Sequence, residues 1–94
     1  MTAENKTERT LTICNERGLH ARAAAKFVKL AGEFEAIITV EKDGQSVDGR
    51  SIMGLMMLAA GIGTTISVVG EGLESGAALD AVEALVADKF GEEC

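Results

Sequence analysis

The sequence predicts an α+β protein in which helices pack on one face of an antiparallel sheet. Four short runs show the alternating or β-branched pattern of strands, and three other runs indicate helices, in the order βαββαβα. The central two strands are separated by Asp43-Gly44, a pair that favours a type I′ hairpin turn and therefore an antiparallel pairing. Periodicity leaves the strand order open, and a ferredoxin-like arrangement shares the βαββαβ part.

A single domain over residues 1–94 is expected, because a chain of 94 residues that is 47% hydrophobic has enough apolar side chains for one modest core. Residues 1–8 are polar, and we expect this segment to be frayed. The first strand alternates Leu11 and Ile13 with polar neighbours and ends at Cys14 or Asn15.

The first helix is predicted over residues 21–31, with Gly32 as its C-cap. One face of this helix is apolar (Ala24, Phe27, Val28 and Ala31), and the opposite face is basic (Arg22, Lys26 and Lys29). We expect the basic face to help attract an acidic partner or a phosphate.

The remaining elements follow from the same patterns. Ser51 has the chemistry of an N-cap, and Glu74-Ser75 opens the final helix, whose apolar stripe is Leu79, Val82, Leu85 or Val86, and Phe90. The predicted strands are 36–40, 45–48 and 64–70, and the predicted helices are 52–60 and 75–90.

The charge balance excludes one large class of partner. The net charge is −6, and the cations are concentrated in residues 1–50, which hold eight of the nine Lys and Arg residues. An acidic chain without Trp or Tyr lacks the clustered positive surface and the stacking platforms that nucleic acids require. We expect no nucleic-acid partner.

Membrane insertion, metals and cofactors are also not expected. The N-terminus is polar, unlike a signal peptide, and the uncharged residues 51–70 are interrupted by four glycines, so we expect a cytoplasmic protein. Cys14 and Cys94 form no CxxC pair, and one histidine cannot complete a usual zinc site.

The segment Gly18-Leu19-His20-Ala21-Arg22 holds the only histidine, at the point where a strand gives way to a helix. Helix N-termini bind phosphate because their backbone N–H groups are unpaired and the helix dipole is positive there. His20 could cap the helix, act as a general base oriented by a carboxylate such as Glu16, or accept a phosphoryl group.

The second helix, Ile52-Met53-Gly54-Leu55-Met56-Met57-Leu58, has no polar face. Its methionines could fill the core, as methionines at helical spacing usually do, or form an adaptable surface for protein partners. Ile52, Leu55 and Ala59 fall on one side and Met53 and Met56 on another, and we favour the partner surface, because a small domain cannot cover a helix on all sides.

The segments Gly18-Leu19-His20-Ala21-Arg22 and Arg50-Ser51-Ile52-Met53-Gly54-Leu55-Met56 together resemble HPr, the histidine-containing phosphocarrier family of the bacterial phosphotransferase system. The resemblance covers residues 10–90. It implies an open-faced β-sandwich, a four-stranded antiparallel sheet covered on one side by three helices. It also implies a phosphoryl carrier rather than a turnover enzyme.

The resemblance assigns roles to individual residues. It implies that enzyme I phosphorylates His20 at Nδ1 and that the group passes to a histidine of an enzyme II A component, with Arg22 stabilising the phosphate. Ser51 matches the serine that an HPr kinase/phosphorylase modifies. The expected partner contacts of the monomer are Ala21, Ala25, Arg50, Ile52, Met53 and Met56.

One position departs from the family motif. Ala23 replaces the usual proline, which should leave the site slightly less pre-organised. Ala23, together with Met57 where some relatives carry serine, suggests the nitrogen-related regulatory branch of the family. The alternative function is a regulatory adaptor that binds partners through the Ser51/Met53/Met56 helix without phosphoryl relay.

Overall fold

One four-stranded antiparallel sheet forms the frame of the molecule in a computed structural model that describes residues 6–94. The strands are β1 (Lys6–Thr12), β2 (Ile37–Lys42), β3 (Gln45–Asp48) and β4 (Thr65–Glu71). Their order in the sheet is β1-β4-β2-β3, so β4 and β2 lie in the middle. This confirms the α+β prediction and supplies the strand order that periodicity left open.

Three helices, α1 (Ala21–Ala31), α2 (Ile52–Met57) and α3 (Ser75–Ala87), cover one face of this sheet. The alternation along each strand directs one set of side chains towards the helices, where Ile38, Val40, Ile66 and Val68 are at most 1% exposed. Their neighbours on the strands face away from the helices, and Ile37 is 59% exposed there. The open-faced sandwich implied by the family resemblance is therefore confirmed.

The hairpin between β2 and β3 has the predicted turn. Asp43 and Gly44 have φ angles of 51° and 82°, and a type I′ turn requires positive φ at both central residues. Lys42 pairs with Gln45 directly across this turn.

Strand bounds differ from the predictions at several ends. β1 begins at Lys6, because Lys6 and Thr7 pair with Glu71 and Gly70 of β4. The expectation of a frayed 1–8 is therefore wrong for residues 6–8, and residues 1–5 lie outside the described part of the chain. β1 also ends two or three residues earlier than predicted, while β2 and β4 each start and end slightly later.

Two helices are shorter than predicted, for a backbone reason in each case. α2 ends at Met57 with Leu58 as its C-cap, and Ala59 then has a φ of 53°, which no α-helix can accommodate. α3 ends at Ala87, and a separate 3-10 turn follows at Lys89–Gly91. Local periodicity does not reveal such left-handed residues unless they are glycine.

No helix within residues 6–94 is long and apolar enough to cross a membrane. The same residues contain no group of three or more His, Cys, Asp or Glu side chains arranged for a metal ion. Cys14 and Cys94 are both free thiols.

Candidate functional site

The loop that precedes α1 packs against Ala60, three residues after the end of α2. Leu19 is buried, and its N–H donates to the carbonyl of Ala60 at 2.9 Å. Gly18 has a φ of 64°, and a Cβ atom there would lie 2.5 Å from the same carbonyl oxygen. Only glycine fits this position, because both the left-handed backbone and the close approach exclude a side chain. The loop therefore presents the next residue, His20, in a defined place.

His20 is the N-cap of α1, in extended conformation. Its Nδ1 accepts a hydrogen bond from the backbone N–H of Arg22 at 3.3 Å, and its carbonyl accepts from Ala24. The imidazole is 23% exposed, so one edge of the ring remains open to solvent. The predicted position of a histidine at the start of a helix is thus observed, and its Nδ1 points towards the helix N-terminus.

The other ring nitrogen contacts a residue that sequence analysis did not identify. Nε2 of His20 lies 2.5 Å from Oε2 of Glu92, near the C-terminal end of the chain. The other carboxylate oxygen, Oε1, accepts a hydrogen bond from Nδ2 of Asn15 at 3.0 Å. The candidate orienting residue Glu16 does not make this contact. Its backbone N–H instead donates to the carbonyl of Cys94.

Electrostatics keep the Glu92 carboxylate ionised. The hydrogen bonds from Asn15 and His20 lower the pKa of Glu92, and the nearby charges of His20 and Arg17 act in the same direction. Partial burial acts in the opposite direction but does not outweigh them. At neutral pH Glu92 therefore accepts hydrogen bonds and donates none.

The cations near His20 have different surroundings. The Arg22 side chain is exposed and makes no ion pair within residues 6–94, whereas Lys26 donates to the carbonyl of Phe90 at 2.7 Å. Lys29, on the same helix face, is also exposed. An open cavity of about 450 Å³ beside the site is lined by Glu16, Arg17, Arg22, Lys26, Gly91, Glu92, Glu93 and Cys94. Arg22 is thus placed to reach an anion, while Lys26 holds the C-terminal segment.

Ser51 caps α2 as predicted. Its Oγ accepts a hydrogen bond from the backbone N–H of Gly54 at 3.0 Å, and its own N–H donates to the carbonyl of Asp48. α2 packs against α1 and β3. No hydrogen bond joins Ser51 to His20 among the described residues.

The methionine-rich helix α2 is exposed on the surface. Met53 and Met57 are 67% and 65% exposed, and Met56 is 39% exposed. Core filling by these methionines is thereby excluded. The inward side of the helix differs from the expectation: Leu55 and Leu58 are buried, whereas Ile52 is 40% exposed. Ala59, which was expected on the same side of the helix as Leu55, is also exposed, and its backbone is left-handed.

The other residues expected to contact partners also lie on the surface. Ala21 and Ala25 of α1 are exposed, and so is Arg50, which precedes α2.

Asn15 and Glu92 are the site residues that sequence analysis missed. Glu92 reaches His20 and Asn15 only because the chain reverses after α3, and this reversal carries no periodic pattern. The sequence does predict that Phe90 is buried, but as part of the final helix; it is instead buried after the end of α3, where it anchors the chain reversal.

The fold and the site together define a small α+β protein in which a histidine caps the N-terminus of the first helix. A family model described as "PTS HPr component phosphorylation site" matches residues 7–88. The chain belongs to the HPr family of phosphocarrier proteins of the bacterial phosphotransferase system. This confirms the resemblance drawn from the two motifs.

Individual relatives are similar over nearly their whole length. The phosphocarrier protein NPr of Shewanella violacea is 51% identical over 87 residues, which cover 93% of this chain and 96% of that protein. The phosphocarrier protein HPr of Cupriavidus necator is 49% identical over 85 residues, which cover 90% of this chain and 96% of that protein. A crystal structure of HPr from Thermoanaerobacter tengcongensis superimposes with a TM-score of 0.89 at 43% identity, covering 94% and 99% of the two chains.

Proposed function

We propose that His20 carries a phosphoryl group, which Nδ1 accepts from phosphorylated enzyme I and passes to a histidine of an enzyme II A component. The observation that carries this proposal is the position of Nδ1 at the first turn of α1, facing the Arg22 N–H at 3.3 Å. A phosphoryl group on Nδ1 meets backbone donors and the positive end of the helix dipole. The exposed Arg22 guanidinium adds a cation with the geometry that phosphate oxygens favour.

The transfer is a substitution at phosphorus. The lone pair of Nδ1 forms the new N–P bond while the bond to the donor atom of enzyme I breaks, and that atom leaves with its electron pair. In the second transfer, the Nδ1–P bond breaks as the acceptor histidine attacks. No proton has to leave Nδ1, so neutral His20 is the reactive form.

Incubation with enzyme I and labelled phosphoenolpyruvate tests this proposal. The wild type is expected to gain an acid-labile label, and His20→Asn is expected to gain none. Asparagine is a good N-cap, so this variant should retain the start of α1 and isolate the chemical role of the imidazole. An acid-labile label on His20→Asn would refute the assignment.

The same assay tests the role of Arg22, with Lys29 as a control cation on the same helix. Loss of a charge-assisted hydrogen bond costs about 1.5–3 kcal/mol, so Arg22→Gln should slow transfer by roughly ten-fold or more. Lys29→Gln removes an exposed cation from the same helix and should have no comparable effect. Equal rates for the two variants would argue that only net charge matters.

Regulatory phosphorylation of Ser51 by an HPr kinase/phosphorylase is the second part of the proposal. A phosphate there adds about −1.5 to −2 charge beside the exposed methionines of α2. Docking to an acidic enzyme I surface should then weaken. Ser51→Asp is expected to slow phosphotransfer, whereas Ser46→Asp, at an exposed position of β3, serves as the matched charge control. Equal rates for Ser51→Asp and the wild type would count against this regulation.

The adaptor alternative is supported by the exposed apolar side chains of Met53 and Met56, which do not depend on His20. Met53→Glu should weaken partner binding in both functions, with Ile37→Glu on the uncovered sheet face as control. A partner that binds His20→Ala normally, in a protein that gains no phosphoryl label, would favour the adaptor.

We infer a single-domain, cytoplasmic monomer that needs no metal or cofactor and binds neither nucleic acid nor a membrane. Light scattering tests the oligomeric state, and a dimer would correct it. Relatives named HPr and NPr match the chain at similar identity, 49% and 51%, so the similarity does not assign the branch. Comparing phosphorylation by a sugar-type and a nitrogen-type enzyme I distinguishes these branches.

A further inference from the structure

The C-terminal segment returns to the histidine along a defined path. Lys89, Phe90 and Gly91 all have positive φ, so the chain reverses sharply after α3. Phe90 is fully buried, and its carbonyl accepts from the Lys26 ammonium group at 2.7 Å. These contacts anchor the reversal and deliver the next residue, Glu92, to the imidazole of His20.

Asn15 fixes the Glu92 carboxylate from the other side. The Asn15 amide is fully buried, and its Nδ2 donates both to the Gly18 carbonyl at 2.9 Å and to Glu92 Oε1 at 3.0 Å. Two acceptors around one end of the amide determine which end is the nitrogen. Oδ1 is then left buried without a hydrogen-bond partner among residues 6–94. By donating to both acceptors, the Asn15 amide ties the position of the Glu92 carboxylate to that of the histidine loop.

The neighbours of the His20 ring determine which of its two nitrogens carries the proton. Ionised Glu92 only accepts, so Nε2 must carry a proton. The Arg22 N–H only donates, so Nδ1 must carry a lone pair. Both contacts select the same neutral tautomer, in which Nδ1 is the nucleophile.

We propose that Glu92, held by Asn15, is a positioning residue that fixes the orientation and tautomer of His20 for phosphoryl transfer. This inference rests on the proposed function. When the Nδ1–P bond forms, the imidazole keeps its Nε2 proton and acquires a positive charge. The Glu92 carboxylate lies against that proton and stabilises the charged ring, as a carboxylate does for histidine in other catalytic pairs. The same contact holds the ring in place for the second transfer.

The test combines steady-state kinetics with NMR of the imidazole. Glu92→Ala should lower kcat for phosphorylation by enzyme I by about ten-fold or more and leave KM unchanged, because loss of the carboxylate that orients a catalytic histidine can cost up to about 10⁴-fold in kcat. Glu33→Ala removes an exposed carboxylate beyond the C-terminal end of α1, outside the site, and should change neither value. A carboxylate that merely contributed to docking would change KM instead. Thermal unfolding of each variant checks that it is folded.

The NMR readout does not require phosphorylation. At neutral pH the wild type and Glu33→Ala should show a downfield, slowly exchanging Nε2–H resonance of His20, and Glu92→Ala should lose it. Absence of this resonance in the wild type, or an unchanged kcat in Glu92→Ala, would overturn the inference. If the wild type gains no label on His20, the proposed function fails, while the Nε2–H comparison still reports whether the Glu92 contact exists.

Discussion

The histidine loop and the methionine-rich helix α2 differ in how firmly their side chains are held. His20 has polar contacts at both ring nitrogens, and its loop is fixed through Gly18 and Leu19. The side chains of Met53 and Met57 are mostly exposed and unrestrained by polar contacts. Group transfer needs one geometry within a fraction of an ångström, whereas recognition of several partners benefits from side chains that adapt. Under the proposed function, the histidine loop would supply the chemistry and α2 the recognition, and the stability of the two regions should respond differently to substitution.

The largest effect on stability is expected from Phe90, the anchor of the C-terminal reversal. Phe90→Ala empties a fully buried site and should lower the free energy of unfolding by about 3–5 kcal/mol. Denaturant unfolding measures this loss. Phe34→Ala, at a partly buried aromatic, should cost less. If Phe90→Ala and Phe34→Ala lower the free energy of unfolding equally, Phe90 does not anchor the C-terminal segment.

Gly18→Ala should have the next largest effect. The left-handed backbone costs a non-glycine residue about 1–3 kcal/mol, and the clash with the Ala60 carbonyl adds to this. Gly44→Ala is the matched control, since its φ is also positive but no atom lies within 4 Å of the added methyl. Denaturant unfolding of both variants separates backbone strain from the contact between the loops. A larger loss in Gly44→Ala would mean that the loops do not pack closely.

Ser51→Ala should cost about 1 kcal/mol, because α2 loses its N-cap. Ser46→Ala, on an exposed strand position, should stay within about 0.5 kcal/mol of the wild type. Thermal or denaturant unfolding resolves the difference. A neutral Ser51→Ala would show that the start of α2 is fixed by packing alone.

Acidification should weaken the histidine region through Glu92. Its pKa is lowered in the folded protein, so the unfolded chain binds more protons over the titration range and stability rises with pH there. The contribution is complete above about pH 4.3, the ordinary value for glutamate, and is lost as pH falls through the lowered pKa. Unfolding of the wild type and Glu92→Gln over this range measures it. Parallel curves would contradict the prediction.

The smallest effect on stability is expected on α2 itself. Met53→Gln replaces one exposed flexible side chain by another and should change the free energy of unfolding by less than about 0.5 kcal/mol. Binding to partners should nevertheless weaken, which titration calorimetry with enzyme I can measure. A substantial loss of stability would place Met53 in the core and remove the contrast between the two regions.

Features that depend on neighbouring residues were predictable from the sequence. The bounds of α1, the Asp43-Gly44 turn and the Ser51 cap all follow from residues within a few positions of one another. The contact between His20 and Glu92 joins residues 72 positions apart, and no local pattern encodes it. The early start of β1 has the same cause, because its first residues are ordered by pairing with β4 rather than by their own polar side chains.

The path of the C-terminal segment has a practical consequence for assays. The Cys94 carbonyl accepts from the Glu16 N–H, and Cys94 lines the cavity beside Arg22. A purification tag or surface linker fused after Cys94 would emerge next to the imidazole and obstruct approaching proteins. Lys6 and Thr12 are the two ends of β1, and they lie about 20 Å apart along the strand. Affinity handles for binding measurements therefore belong on the N-terminal side.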